Sequence, residues 1–141
     1  MIKALFLVAM LSLSLPQSSV GSVDGVWIAE FDGRTFIRLE LHTVSGTTRG
    51  GMSLGHFEVD EQGAVRRAEE APNDLAPIIN FAKRGSVLTF SRKGVGKPEP
   101  FEVRLIDANA AELRVILSDS DRKAFAEEGI PMPKTIRLKR Q

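Results

Sequence analysis

From Val26 onward, apolar and polar residues take turns along the chain in short runs, the period-two pattern of half-buried strands. Val26 to Phe31 places Trp27, Ala29 and Phe31 on one face. Asp32-Gly33 follows at once, a dipeptide suited to a two-residue hairpin because both positions need positive φ. Thr35 to His42 then points Ile37, Leu39 and Leu41 inward and Phe36, Arg38, Glu40 and His42 outward, until Ser45-Gly46 breaks the run. Arg49 to Asp60 is spotted with Gly50, Gly51 and Gly55, residues that mark bulges and bends in a sheet; Met52, Leu54, Phe57 and Val59 lie on its core side. Gln62-Gly63 turns the chain into a weak strand, Ala64 to Ala68.

Ala71 to Ala82 breaks the pattern. Pro72 and Pro77 interrupt a strand, Asn73 or Asp74 suits a helix cap, and Ile78, Ile79 and Phe81 are apolar. The prediction there is a short helical or irregular segment packed over an end of the fold. Strands resume at Val87 to Arg92, Phe101 to Ile106 and Glu112 to Leu117. A short helix starts at Ser118 or Asp119, has Ala124 and Phe125 as its apolar side and stops at Gly129. Beyond Pro131 and Pro133 a last strand, Lys134 to Arg140, alternates Ile136 and Leu138 with Arg137 and Lys139.

The predicted class is therefore all-β: an antiparallel up-and-down barrel of seven or eight strands, with one short helix before the last. Closing such a sheet removes the edges through which strands aggregate. A seven-stranded sandwich stays open as the alternative, without the Cys-Trp-Cys pattern of immunoglobulin domains.

Residues 1–22 read differently. Lys3 precedes an apolar run from Ala4 to Leu15, Pro16 ends it, and Ser18, Ser19, Gly21 and Ser22 supply small residues. This is the layout of a cleavable signal peptide, with cleavage after Gly21 or after Ser22 equally suited. The run is shorter than the roughly 20 apolar residues of a spanning helix, so no membrane span is expected in the mature form. Residues 23–141 then make a single domain, which buries roughly two thirds of its unfolded surface and can stand on a core alone. The chain has no cysteine, hence neither a disulfide nor the acylated cysteine of a lipoprotein. The expected location is the periplasm or the medium.

Charge and aromatic content narrow the partners. With 19 basic and 18 acidic side chains there is no cationic excess of the kind that neutralises phosphates, so no nucleic acid is expected. One Trp, no Tyr and eight Phe leave few flat rings for a sugar or single-strand platform.

Gly25-Val26-Trp27, followed by a hairpin and curling glycines, resembles the opening of calycin barrels, the lipocalin-like group. The chain is also similar to small exported bacterial domains that carry Gly-x-Trp, a Leu-Thr-Phe-Ser-Arg strand (here Leu88 to Arg92) and a basic ending like Ile136-Arg137-Leu138-Lys139. The calycin resemblance implies that Trp27 closes one barrel end, with a basic residue of the last strand, Arg137 or Lys139, packed over the indole. It also implies carriage of a small apolar ligand.

No motif names a reaction. His42 and His56 are the only histidines and stand in neither His-x-His nor His-Glu-x-x-His spacing, so both read as surface or backbone-bonded residues and not as metal ligands. No serine sits in a Gly-x-Ser-x-Gly elbow. Glu69-Glu70 and Glu127-Glu128 read as solvated pairs, and Gly94-Val95-Gly96-Lys97 as a hairpin loop. Trp27, Phe31, Phe57, Phe90 and Phe101 are the candidate lining of a cavity, or its filling. The expectation is a non-enzymatic exported barrel without cofactor that binds a small apolar ligand. The alternative is a protein-interaction module, an accessory subunit or a protease-inhibitor-like domain, docking through Ile78, Ile79 and Phe81.

Overall fold

The computed structural model describes residues 22–141, so the signal-peptide reading falls, apart from Ser22, outside the described residues. Strands β1 (Gly25–Phe31), β2 (Arg34–Val44), β3 (Thr47–Leu54), β6 (Ala76–Arg84), β7 (Val87–Arg92), β8 (Glu99–Leu105), β9 (Ala110–Val115) and β10 (Ile136–Arg140) form one closed barrel. Every neighbouring pair is antiparallel, and β10 returns to pair with β1. Two elements stand outside the ring: a hairpin of β4 (Phe57–Val59) and β5 (Val65–Ala68), and helix α1 (Asp119–Glu128) between β9 and β10.

Local chemistry explains most of these boundaries. Asp32 and Gly33 both adopt positive φ, as do Ser45 and Gly46, so each pair makes the tight turn that the twist of its flanking strands favours. Asp60 builds the β4–β5 turn by accepting from the backbone amides of Gln62 and Ala64 at 2.9 and 3.0 Å. Ser118 caps α1 by accepting from the Asp121 amide at 3.1 Å, and Gly129 ends the helix in the left-handed conformation.

Alternation carries the inward set into one core: Trp27 and Ala29, Ile37, Leu39 and Leu41, Met52, Leu88 and Phe90, Phe101, Val103 and Leu105, Leu113, Ile136 and Leu138. Phe36 departs from the alternation. The register shifts between Ala29 and Glu30, so Ile37 opposes Ala29, Thr35 opposes Glu30, and Phe36 opposes nothing. A bulge of this kind lets two successive side chains share a side, and Phe36 is buried beside Ile37 instead of facing out.

The 71–82 segment is also different from its prediction. Residues 71–75 are irregular, but 76–82 are neither helical nor irregular and carry most of β6, a wall strand paired with β7 from Ile78↔Arg92 to Arg84↔Val87. Pro77 is tolerated because it lies near the start of the strand, where its carbonyl still accepts from the Lys93 amide. Ile78 is buried in the wall and Phe81 packs on the core, so neither offers the docking surface expected of them.

Strand directions put the β4–β5 hairpin and α1 at the same end of the barrel, with the Asp32-Gly33 turn. We call this end the base. The hairpin packs Phe57, Val65 and Ala68 on the core, and the Phe57 ring lies 5.4 Å from that of Phe36.

Gly50 and Gly55 test how tightly the ring is drawn. A Cβ on either would collide with main chain, at the Glu40 carbonyl oxygen and the Glu69 carbonyl oxygen respectively. Gly50→Ala and Gly55→Ala should each lower the unfolding free energy in urea by about 1–3 kcal/mol. Gly94→Ala, where the nearest neighbour is the Arg92 side chain at 3.4 Å, should change it by less than about 0.5 kcal/mol.

Candidate functional site

The end opposite the base is shut by the first and last strands. Trp27 is 1% exposed, and its indole N–H donates to the Val23 carbonyl at 3.0 Å. The Arg140 guanidinium carbon lies 4.6 Å from the indole centroid, and its Nη2 donates to the Ser22 carbonyl at 2.7 Å. Residues 22–24 are thus folded over the barrel mouth, with Val23 buried. Thr43 beside Asp24 stabilises its carboxylate and holds its pKa below the ordinary value.

The cation over the indole is Arg140, not Arg137 or Lys139. In β10 the inward positions are Ile136, Leu138 and, two further on, Arg140, which stands opposite Trp27. Arg137 and Lys139 have the outward parity: Arg137 is exposed, and Lys139 pairs with Glu30 at 3.0 Å on the surface. The alternation that assigned Ile136 and Leu138 to the core already pointed to residue 140.

The candidate lining residues divide between core and surface. Trp27, Phe90 and Phe101 are buried, the last two stacked with centroids 5.9 Å apart, and Phe31 is half-buried against the core. Ile37, Leu39, Met52, Ala111 and Leu138 are wholly excluded from solvent. An eight-stranded barrel has room either for its own side chains or for one small ligand, and here side chains occupy the axis. Of the candidates, Phe57 borders an open depression.

That depression lies at the base, between the hairpin and the chain leaving α1. It measures about 400 Å³ and is walled by Phe57, Val59, Phe125, Ile130, Pro131 and Pro133, with Glu58 and Arg66 at its rim. Glu58 and Arg66 pair at 3.3 Å, which leaves the rim nearly neutral. The groove is held open by backbone, not by packing. α1 buries no residue fully; Asp119 and Asp121 suit the positive end of its dipole. The Ile130 amide then bonds the Phe125 carbonyl and the Lys134 amide bonds the Gly63 carbonyl. Gly63 is needed there: its φ is +82, and a Cβ would lie 2.6 Å from the Met132 oxygen. Ile130 and Met132 stay 43% and 39% exposed. Sequence reading had marked Phe125 as apolar but missed Ile130, whose only signal was an isoleucine stranded between a helix stop and two prolines.

Neither histidine is in the lining of this groove. His42 is on the outer face opposite Arg49, and exposed His56 lies 3.9 Å from Glu58. Among the described residues no group of three or more His, Cys, Asp or Glu is close enough to hold a metal ion. The Gly94 to Lys97 stretch is the loop joining β7 to β8, with no helix after it.

Closure by Arg140 has a measurable weight. Arg140→Ala should cost about 0.5–2 kcal/mol of stability and shift the emission of Trp27, the only tryptophan, to longer wavelength. Lys139→Ala removes only an exposed pair and should stay within about 0.5 kcal/mol of the parent. Equal losses in the two variants would remove the clasp from this account.

Comparisons with protein-family models, with curated proteins and with solved structures find no match for this chain. What it shares with a wider class is architecture: a closed eight-stranded antiparallel barrel with one short helix, in agreement with a calycin-like fold.

Proposed function

We propose that this protein is a non-enzymatic exported β-barrel that binds a small apolar molecule, and that the binding site is the basal groove and not the barrel axis. The observation that carries the reading is the contrast between an axis filled by Leu39, Met52, Phe90 and Phe101 and an open apolar groove of about 400 Å³ beside it. Ligand sites commonly span roughly 300–1,000 Å³ and pair an apolar wall with a few polar groups. Phe57, Phe125 and Ile130 supply the wall, and the Glu58–Arg66 pair supplies the polar edge. Export rests on the charged start, apolar run and small-residue end of residues 1–22. Among the described residues no helix is long and apolar enough to cross a membrane.

Magnitudes set the expected affinity. Removing about 200 Å² of apolar surface from water contributes roughly 5 kcal/mol, which alone corresponds to a dissociation constant near 0.2 mM. Association costs weaken this and polar contacts strengthen it. The groove therefore suits reversible pick-up and release.

Two measurements test the reading. Native mass spectrometry of protein isolated from its own host should show a retained apolar mass. Anilinonaphthalene sulfonate, titrated as a fluorescent probe, should bind about tenfold more weakly to Phe125→Asp and Ile130→Asp than to the parent. Ile106→Asp, at an exposed position on the far side of the ring, should bind the probe as the parent does. Unchanged probe binding in both groove variants, with circular dichroism showing intact strands, would overturn the assignment.

A further inference from the structure

The ring has one seam that is fastened only at its lower end, where Arg92 Nε donates to the Met52 carbonyl at 3.2 Å. β3 joins β6 through only two residue pairs, Gly51↔Pro77 and Met52↔Ala76. Above them, Thr47, Thr48, Arg49 and Gly50 are in register with β2 alone, and Ile78 to Arg84 with β7 alone. Each strand thus turns one edge toward a neighbour with which it shares no further register. The seam between β1 and β10 is equally short, but the indole, Arg140 and the Gln141 amide on the Val26 carbonyl reinforce it. No such fastening crosses the upper part of the β3–β6 seam.

An edge of this kind templates pairing with another extended chain. β3 is the better template. Its register with β2 is unbroken from Ile37↔Leu54 to Val44↔Thr47, whereas β6 is interrupted by the shift between Ile79 and Ala82 and by Asn80 at φ +55. Four residues of free edge span about 13 Å.

Charge selects the partner. Thr47 to Gly50 and Ile78 to Arg84 contain no acidic residue, while Arg49, Lys83 and Arg84 are exposed. Among the described residues none of these three cations takes part in an ion pair. Lower on the seam the sign reverses. A groove of about 560 Å³ beside Gly50 and Gly51 is mainly apolar, with Val26, Leu75 and Pro77 in its lining, and Glu40, directly opposite Gly51, gives it an acidic edge; Asp24, also in the lining, lies two strands away from β3. An acidic side chain is attracted at the upper end and repelled at the lower, where an apolar one fits.

We propose that the free edge of β3 at Thr47–Gly50 binds an extended peptide by strand addition, with acidic residues of the peptide beside Arg49, Lys83 and Arg84 and an apolar residue in the groove at Gly51. This surface lies apart from the basal groove, and its occupant is a polypeptide instead of a small apolar molecule.

The test uses a labelled synthetic peptide of about eight residues, an ordinary strand length, with glutamates in one half and valines in the other. Fluorescence anisotropy with the full mature chain should show saturable binding. Methylating alternate backbone nitrogens of the peptide removes ladder donors and should weaken binding at least about tenfold. Lys83→Glu combined with Arg84→Glu should do the same and should leave anilinonaphthalene sulfonate binding at the base unchanged, which separates this proposal from the previous one. Equal binding of the methylated peptide would reduce the effect to charge adsorption and overturn strand addition. So would absence of binding, or a dimer in sedimentation equilibrium that the paired glutamate variant dissolves, since a second copy of the chain would then own the edge.

Discussion

Closure of the sheet on itself is the constraint from which the rest of the molecule follows. The first and last strands share only Trp27↔Arg140 and Ile28↔Lys139, and no disulfide relieves the entropy of bringing chain ends together. A pair so short is held by what surrounds it. Trp27 fills the mouth, Arg140 lies on its ring, the Val23 carbonyl accepts from the indole N–H and the Ser22 carbonyl accepts from Arg140 Nη2. The segment before β1 is therefore part of the fold and not a spacer.

Once the ring is shut its interior volume is set, and side chains occupy it. Large residues of neighbouring strands stack inside it, as Phe90 does with Phe101, and five of the described positions have no solvent exposure at all. Binding surfaces then lie on the periphery, where elements outside the ring meet it. The base offers such a place because α1 is anchored by its caps, by half-buried Phe125 and by two backbone bonds. Elements with few buried apolar contacts open at lower free energy than a barrel wall. A wall of that kind beside an apolar groove can adjust to its occupant.

The two short seams differ in what each is given. β1–β10 has an aromatic, a cation and backbone bonds from both chain ends. β3–β6 has two residue pairs, one side-chain bond from Arg92 to the Met52 carbonyl at its lower end, and a proline that donates no hydrogen bond. Its exposed cations and its bulge also protect against indiscriminate edge pairing. Protection and selectivity have the same physical basis here, because a positive rim repels basic strands and admits acidic ones.

The alternation of side chains, the Asp-Gly and Ser-Gly turns and the Ser118 and Gly129 caps are local properties, and they were legible from sequence because each depends on a few neighbouring residues. They determined an antiparallel barrel with one helix before its last strand. The course of β6 was not legible. Pro72 and Pro77 argue locally against a strand, and only the ladder offered by β7 outweighs them. Phe36 was misread for a related reason, since a bulge depends on the partner strand and leaves no mark in the residues that bear it. Arg140 stood at an inward parity all along, yet its task depends on where residue 27 arrives from the far end of the chain. The basal groove and the open edge of β3 belong to the tertiary structure alone: they are spaces between elements distant in sequence, and a space has no residue of its own.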